Sequence, residues 1–420
     1  MRWFATRSLI GGFVLFVLVG FGHSVWYELE VARFDAAIAR IRAAGEPARF
    51  SEIENPPVPD DQNAYLVVRE AVGILRRTEE QTLSGLARTY AWDDPDGPAP
   101  SPKEHAALVA FFEKLGGFFD LLEQVDRRPD WYESDPVGVE AIVTLQETYD
   151  YVLRRYEFTP KRSPTDTAIR GVELGWTLQA RYAPRTILGW MVQLQFRRKC
   201  ARAAIRMAGH PSVQAARLRD AVDTLLRGHD EAGPPRHLLV NERAYQCEYG
   251  EFELGRLGGR AYGERWNRAT TWWSRPETVA WLADLLERSD AVFDRASSAS
   301  NAEAVWARAQ EFPRGSERGP NNGIAFSLLG GGLNYASETA AAIRLARLGI
   351  VLQLVRRERG AFPASLDALA RYFPNGVPTD PFTRTAFVYE RTDAGVLLKA
   401  GKPGATDEQL RWDDLLFALE

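Results

Sequence analysis

YASETAAAIRLARLGIVLQLVRRER, Tyr335–Arg359, is the stretch whose reading decides the fold. Leu345, Leu348, Leu352 and Val355 fall on one helical stripe, and Ile343, Ala346, Ile350 and Leu354 on another. A surface helix carries one apolar stripe, so apolar faces on two sides require cover on both. The segment therefore reads as a helix buried between layers, and Arg344 and Arg347 argue against its crossing a membrane. Beyond it the period changes. Thr385–Arg391 and Gly395–Ala400 read as strands joined across Thr392-Asp393-Ala394, with Leu415–Leu419 a candidate third strand.

Working back from this helix, Pro and Gly punctuation cuts the chain into helical pieces. Helices are expected from Asn63 to Arg77, with Asp60 or Asp61 near the cap, and from Ser101-Pro102 to Val125. Another should run from Asp135-Pro136 to Arg155. Ala183–Ala208, Ser212–Gly228 and Pro235–Leu257 read as three successive helices, and Ser274 with Glu277 forms a capping-box pattern opening a helix to Ala296. Gly45–Gln62, Asp93–Ser101 and Pro160–Pro164 are the breaks. Short turns between long helices give antiparallel neighbours, as in bundles or solenoids, and no fixed-period repeat is visible. The expected class is mainly α. A helical domain over 63–330 precedes 331–420, the long helix plus a small antiparallel sheet.

At the other end, Ser8–Tyr27 contains no Asp, Glu, Lys or Arg. Twenty helical residues span about 30 Å, enough to cross the hydrocarbon core. Arg2 and Arg7 precede the segment, and Trp26 and Tyr27 close it where aromatic rings favour the membrane boundary. The positive-inside rule makes 1–7 a cytoplasmic tail, 8–27 a transmembrane anchor, and 28–62 a helical stalk with a Pro-rich linker. The rest is then extracytoplasmic, held by a single pass in the inner (cytoplasmic) membrane. The competing reading is a cleaved signal peptide. Retention is favoured because no clear A-x-A site appears, and because Val31, Phe34, Ile38 and Ile41 continue one helical face.

Composition bounds the function. The 420 residues are 45% hydrophobic and 26% charged, the balance of a globular chain, and include 12 Trp. A net charge of −4 argues against a nucleic-acid binder needing a basic face. Two Cys and five His exclude a disulfide scaffold and a Cys-rich zinc module. The 6 Lys against 46 Arg follow from a GC-rich coding bias. Arg154-Arg155, Arg197-Arg198-Lys199 and Arg356-Arg357 are accordingly read as solvated helix faces rather than phosphate sites.

No sequence pattern designates a catalytic, cofactor-binding or metal-binding residue. His105, His210, His229 and His237 lie apart, without H-E-x-x-H or C-x-x-C. Gly330-Gly331-Gly332 lacks the Walker lysine and reads as close packing or a turn before the long helix. Glu248, Glu251 and Glu253 offer paired carboxylates without a visible cleft. Trp131-Tyr132 and Trp272-Trp273 read as core or interface residues rather than sugar platforms. Cys200 and Cys247 are expected as two separate buried thiols, with a disulfide as the alternative.

After the long helix come Arg359-Gly360-Ala361-Phe362-Pro363-Ala364-Ser365-Leu366-Asp367-Ala368-Leu369, then Val377-Pro378-Thr379-Asp380-Pro381-Phe382 and the hairpin through Tyr389. Together they resemble the C-terminal part of the major pseudopilin of type II secretion systems. The departures are an internal rather than N-terminal helix and no Glu in Ser8–Tyr27, so the resemblance does not imply assembly into a pseudopilus. Its calcium loop is only echoed in Asp407, Asp413 and Asp414, which read as surface carboxylates. The chain as a whole is similar to uncharacterised singly anchored bacterial envelope proteins, through its anchor, the Pro59-Asp60-Asp61-Gln62-Asn63-Ala64 lead-in to the first helix, a helical middle and this C-terminus. The expected function is a non-enzymatic, membrane-anchored interaction or scaffold protein of the cell envelope, partnered by the membrane and by an envelope protein. The alternative is an envelope hydrolase, acting on glycans through an unrecognised carboxylate site.

Overall fold

The computed structural model describes residues 2–53, 56–82, 101–133, 139–155, 163–214, 216–220, 223, 233–253, 268–311, 324–412 and 415–419. Within helices, side chains are described from residue 18 onward, excluding among others 252–253, 268–275 and 324–328. The chain is mainly helical with a small C-terminal antiparallel sheet. It forms two compact units: one from 1–54, 234–297 and 312–329, the other from 55–233, 298–311 and 330–420.

The first unit is built on α1 (Arg2–Ala43). Phe34, Ala37, Ile38 and Ile41, the face expected from spacing, are all buried, with Tyr27 and Val31 packed partly against them. Their partners come from two helices later in the chain, Arg236–Glu253 and Arg268–Ser297. Phe34 is level with Gly250 and Leu282, whereas Glu46, just past α1, is level with Arg243 and Asp290. The Arg268–Ser297 helix therefore runs parallel to α1, and the Arg236–Glu253 helix runs antiparallel to both. The short 3-10 turn Phe50–Glu52 folds back on the latter, where Glu248 accepts the Phe50 amide at 2.7 Å and Glu251 pairs with Arg49 Nε at 2.6 Å.

In the second unit α2 (Ala64–Thr82) packs with α3 (Pro102–Lys114), α4 (Gly116–Leu122) and α5 (Val139–Arg154). Next come α6 (Pro164–Arg181) and α7 (Ile187–Gly209), each against its predecessor. One core joins α2 to α7 through Leu75, Phe111, Phe118, Leu145 and Phe196, with Phe196 stacked on Tyr149 at 4.1 Å. The start of α2 is fixed by Asn63 rather than by Asp60 or Asp61. Its Oδ1 accepts the amides of Tyr65 and Tyr132, both at 3.1 Å, and its Nδ2 donates to the Tyr132 carbonyl at 2.8 Å. Ser101 caps α3 with Glu104 in a reciprocal box. The single helix expected up to Val125 instead breaks at Leu115, just before Gly116-Gly117.

Other boundaries also move. α7 starts at Ile187 behind a Thr186 cap rather than at Ala183. Completing the helix labels, α8 is Arg236–Glu253, α9 is Arg268–Ser297, α10 is Ala302–Glu311 and α11 is Ile324–Arg359. α9 begins ahead of the Ser274 box and continues through Pro276, which forfeits one helical hydrogen bond. The segments α6 and α10 carry Ser163 and Asn301 caps and were not expected as helices. Most of the expected Ser212–Gly228 helix, and Asp135-Pro136, lie outside the described residues.

α11 begins eleven residues before Tyr335, so Gly330-Gly331-Gly332 lies inside the helix rather than ahead of it. At Gly332 a Cβ would come within 3.2 Å of Trp190, which accords with close packing. Both stripes are buried: Leu345, Leu348, Leu352 and Val355, and Ile343, Ala346, Ile350 and Leu354. From Ala341 onward α11 shares one core with Val172, Ala204 and Ile205 of α6 and α7. The same core takes in Leu366, Leu369, Phe373, Phe387, Leu398 and Leu415 of the C-terminal module.

Gly360 ends α11 at φ +74°, a left-handed conformation suited to glycine. A 3-10 helix, Leu366–Tyr372, then buries Leu366 and Leu369. Asp380, almost wholly buried, shapes the turn that follows. Its carboxylate accepts the Phe382 amide at 2.9 Å and the Gly401 amide at 2.5 Å. Burial raises the Asp380 carboxyl above its usual range, against the pull of those two amides. The sheet is β1 (Val388–Arg391), β2 (Val396–Lys399) and β3 (Leu416–Leu419), all antiparallel in that order, with Arg391 opposite Val396 and Val396 opposite Leu419. The first strand is thus shorter than Thr385–Arg391. The short α12 (Asp407–Trp412) lies between β2 and β3.

Gly250 permits the closest approach among the described glycines of the first unit, since a Cβ there would lie 2.4 Å from the fully buried Phe34 ring. Gly250→Ala should lower the unfolding free energy by about 1–3 kcal/mol through overpacking. Gly331→Ala, where a Cβ meets nothing within 4 Å, should raise it by about 0.5–1 kcal/mol. Urea titration of the full chain in detergent checks both; equal effects would refute the packing assignment.

Candidate functional site

The residues picked out by chemistry in the sequence turn out to be dispersed. Glu248 and Glu251 hold the Phe50–Glu52 turn on α8, and the Glu253 side chain lies outside those described. Among the described residues no group of three or more His, Cys, Asp or Glu is placed to hold a metal ion. Asp407 pairs with Lys399 at 3.2 Å, while Asp413 and Asp414 lie outside the described residues, as does His229. Trp131 packs between Tyr65 and Tyr182, with ring centroids 5.5 and 5.6 Å away, a core position. The Trp272 and Trp273 side chains lie outside those described. Cys200 and Cys247 are both buried free thiols, pushed up to about 12 by burial, which leaves them unreactive near neutral pH.

Three arginines read as solvated instead do structural work. Arg155 is buried over the Phe119 ring at 4.1 Å and reaches Glu123 at 3.3 Å. Arg357 donates to the carbonyls of Ala208, His210 and Val213, closing the C-terminal end of α7. Arg198 is buried on α7, 4.7 Å over the Tyr335 ring, and meets Glu338 of α11 at 3.3 Å. The other oxygen of Glu338 accepts from Lys402 at 2.5 Å. One nearly buried carboxylate thus ties α7, α11 and the loop after β2. Solvation is the default for arginine runs on a helix, but a buried guanidinium is retained where it is paired.

Two features stand apart from this internal bonding. The first is on α1. Leu18, Val19, Phe21, Val25, Trp26 and Leu29 are exposed, Phe21 by 69%. Among the described residues only Val143 and Leu188 are other exposed large apolar side chains. At 3.6 residues per turn, the six span an arc of about 160°. That arc faces away from Tyr27, Val31, Phe34, Ile38 and Ile41, the side packed on the first unit's core. Below it the helix turns polar. Trp26 donates to Glu30 at 3.2 Å, and Arg33 binds Glu30 and Asp284 at 2.7 Å and Glu287 at 2.9 Å. Hydrogen bonds donated to Glu287 and Asp284 raise the Arg33 pKa above its usual value. Among the described residues no helix is long and apolar enough to cross a membrane, and Ser8–Val17 lies outside those whose side chains are described.

The second feature is a cleft of about 280 Å³ in the second unit, between α11, the end of the Leu366–Tyr372 3-10 helix, and Arg219, Asp220 and Asp223. Arginine guanidiniums form its rim, and no sequence pattern had singled it out, because its residues come from three segments.

No protein-family model, curated protein or solved structure matches the chain.

The Glu338 knot carries a prediction. Glu338→Ala should destabilise the full chain by about 3–5 kcal/mol, because the buried Arg198 guanidinium would lose the Glu338 carboxylate that faces it. Replacing Arg198 and Glu338 together by Met should recover most of that loss. Equal destabilisation in the single and double variants, by urea unfolding, would show that the pair contributes only packing.

Proposed function

We propose that the protein is a singly anchored envelope protein whose two units form an extracytoplasmic interaction platform. The observation that carries this reading is the exposed apolar arc of α1. A helix apolar on every side belongs in a protein core or a bilayer. Between Leu18 and Leu29 one side of α1 meets the protein core and the rest has no protein cover among the described residues. Lipid supplies the missing cover. The uncharged run Ser8–Tyr27 gives the length, and Arg2 and Arg7 ahead of it give the orientation, with both units outside. Retention of the segment is supported by the helix running unbroken from Arg2 to Ala43, with Tyr27 and Val31 already packed on the first unit. The C-terminal module serves in this reading as a pseudopilin-like packing piece. Its sequence order of long helix, glycine stop, short helix, Asp-Pro turn and hairpin supports that likeness.

Topology tests the reading. Reporter fusions at residues 60 and 420 should both behave as extracytoplasmic, and the full chain should stay in the membrane fraction after alkaline carbonate extraction. Deleting residues 1–27 should release it. Cytoplasmic behaviour at either position, or extraction of the intact chain by carbonate, would overturn it.

A further inference from the structure

We propose that the arginine-rimmed cleft of the second unit binds a small monoanionic carboxylate that carries an apolar group. The inference is independent of how the chain meets a membrane. At about 280 Å³ the cleft is just under the range of pockets for drug-sized ligands, about 300–1,000 Å³. It holds roughly nine waters' worth of space at about 30 Å³ each, room for a side chain and its carboxylate rather than for a glycan chain.

Its chemistry is asymmetric. Ile350 and Val351 of α11 and Phe373 form an apolar floor, all three buried members of the unit's core. Arg219, Arg347 and Arg371 line the space above it with Asp220 and Asp223. With Glu358 on Arg371, the three guanidiniums face three carboxylates, so the cleft holds no excess charge to draw in a dianion and would select its ligand through directed donors.

Each arginine is held yet keeps donors in reserve. Arg347 turns Nε and Nη2 onto a single oxygen of Asp223, at 2.9 and 2.8 Å. Arg219 likewise places Nε and Nη2 on one oxygen of Asp220. Arg371 uses only Nη2, for Glu358 at 3.1 Å and for the Tyr372 hydroxyl. The remaining nitrogens, Nη1 of all three and Nε of Arg371, have no protein partner among the described residues.

The rings fix where those donors point. Tyr372 has the Arg371 guanidinium 4.6 Å and the Arg219 guanidinium 6.0 Å from its centroid, and its hydroxyl donates to Glu358 at 2.6 Å. Arg347 lies 5.8 Å from the Phe373 centroid. Oriented guanidinium edges above an apolar floor are suited to a carboxylate with an apolar tail, because the planar fork matches both carboxylate oxygens.

The test is calorimetric titration of the full chain in detergent micelles, with micelles alone as the blank. The probes are N-acetyl-L-leucine, its uncharged amide and inorganic phosphate. Saturable one-site binding of the acid is expected, with the amide and phosphate each roughly tenfold weaker or worse. Arg371→Gln, at a side chain 54% exposed, should weaken the acid roughly tenfold without moving the unfolding midpoint. Asp220→Asn, which adds net positive charge, should tighten it. Failure of the acid to saturate, equal affinity for acid and amide, phosphate binding as tightly as the acid, or wild-type affinity in Arg371→Gln would each overturn the proposal.

Discussion

The second unit depends on one constraint: α11 is apolar on two sides and must be covered on both. The Ala340-Ala341-Ala342 run, Ala346 and Gly349 keep the helix slim enough for α7 to approach closely, so that a Cβ on Gly349 would sit 3.4 Å from Ile205. The opposite side takes the C-terminal module. A three-stranded sheet of four-residue strands has too small a face to be stable alone. Here its inward residues, Val396, Leu398 and Leu419, belong to the α11 core. The module is therefore part of the unit's folding, not an appendage.

Polar bonds set the register of these layers. Arg344 of α11 reaches Glu303 at 2.7 Å and the Thr379 carbonyl at 2.9 Å, just ahead of the Asp380 turn. Trp306 of α10 meets Phe382 edge to face at 4.9 Å, while Tyr389 of β1 donates to the Pro363 carbonyl at 2.7 Å. Each bond joins an element to one distant in sequence. A partly buried ion pair such as Arg344–Glu303 adds little net stability but penalises misaligned packings.

The parts of the fold legible in the sequence were those governed by local periodicity. The doubled stripe of α11, the change of period that marks β1 and β2, the Ser101-Pro102 cap and the Phe34-Ile38-Ile41 face all depend on residues a few positions apart. α6 shows the same Ser-Pro device at Ser163-Pro164, so its omission was a missed signal rather than an absent one. Boundaries failed where tertiary contacts overrode local bias. Helix α9 runs through Pro276, and α11 runs through three glycines, one of them seated against Trp190. The cleft was illegible because Arg219, Arg347 and Arg371 converge only in three dimensions. The carboxylates that spacing had paired, Glu248 and Glu251, proved to be fastening a turn.

Among the described residues the exposed large apolar side chains gather along α1, where the helix leaves the first unit's core with its outward side uncovered; elsewhere they are single positions, Val143 and Leu188. In the proposed reading the cover for α1 is lipid, which the uncharged run before Glu28 is long enough to use. The most direct test places a spin label, one position at a time, at Leu18→Cys, Phe21→Cys, Val25→Cys and Leu29→Cys in the full chain reconstituted in liposomes. The native thiols are buried and will not compete for label. The measured quantity is collision with oxygen, which concentrates in the bilayer, against collision with a water-soluble nickel complex. High oxygen and low nickel accessibility at Leu18, Phe21 and Val25, deepening towards Leu18, is the predicted result. Nickel accessibility at Leu18 and Phe21 equal to that of an aqueous surface site would contradict it.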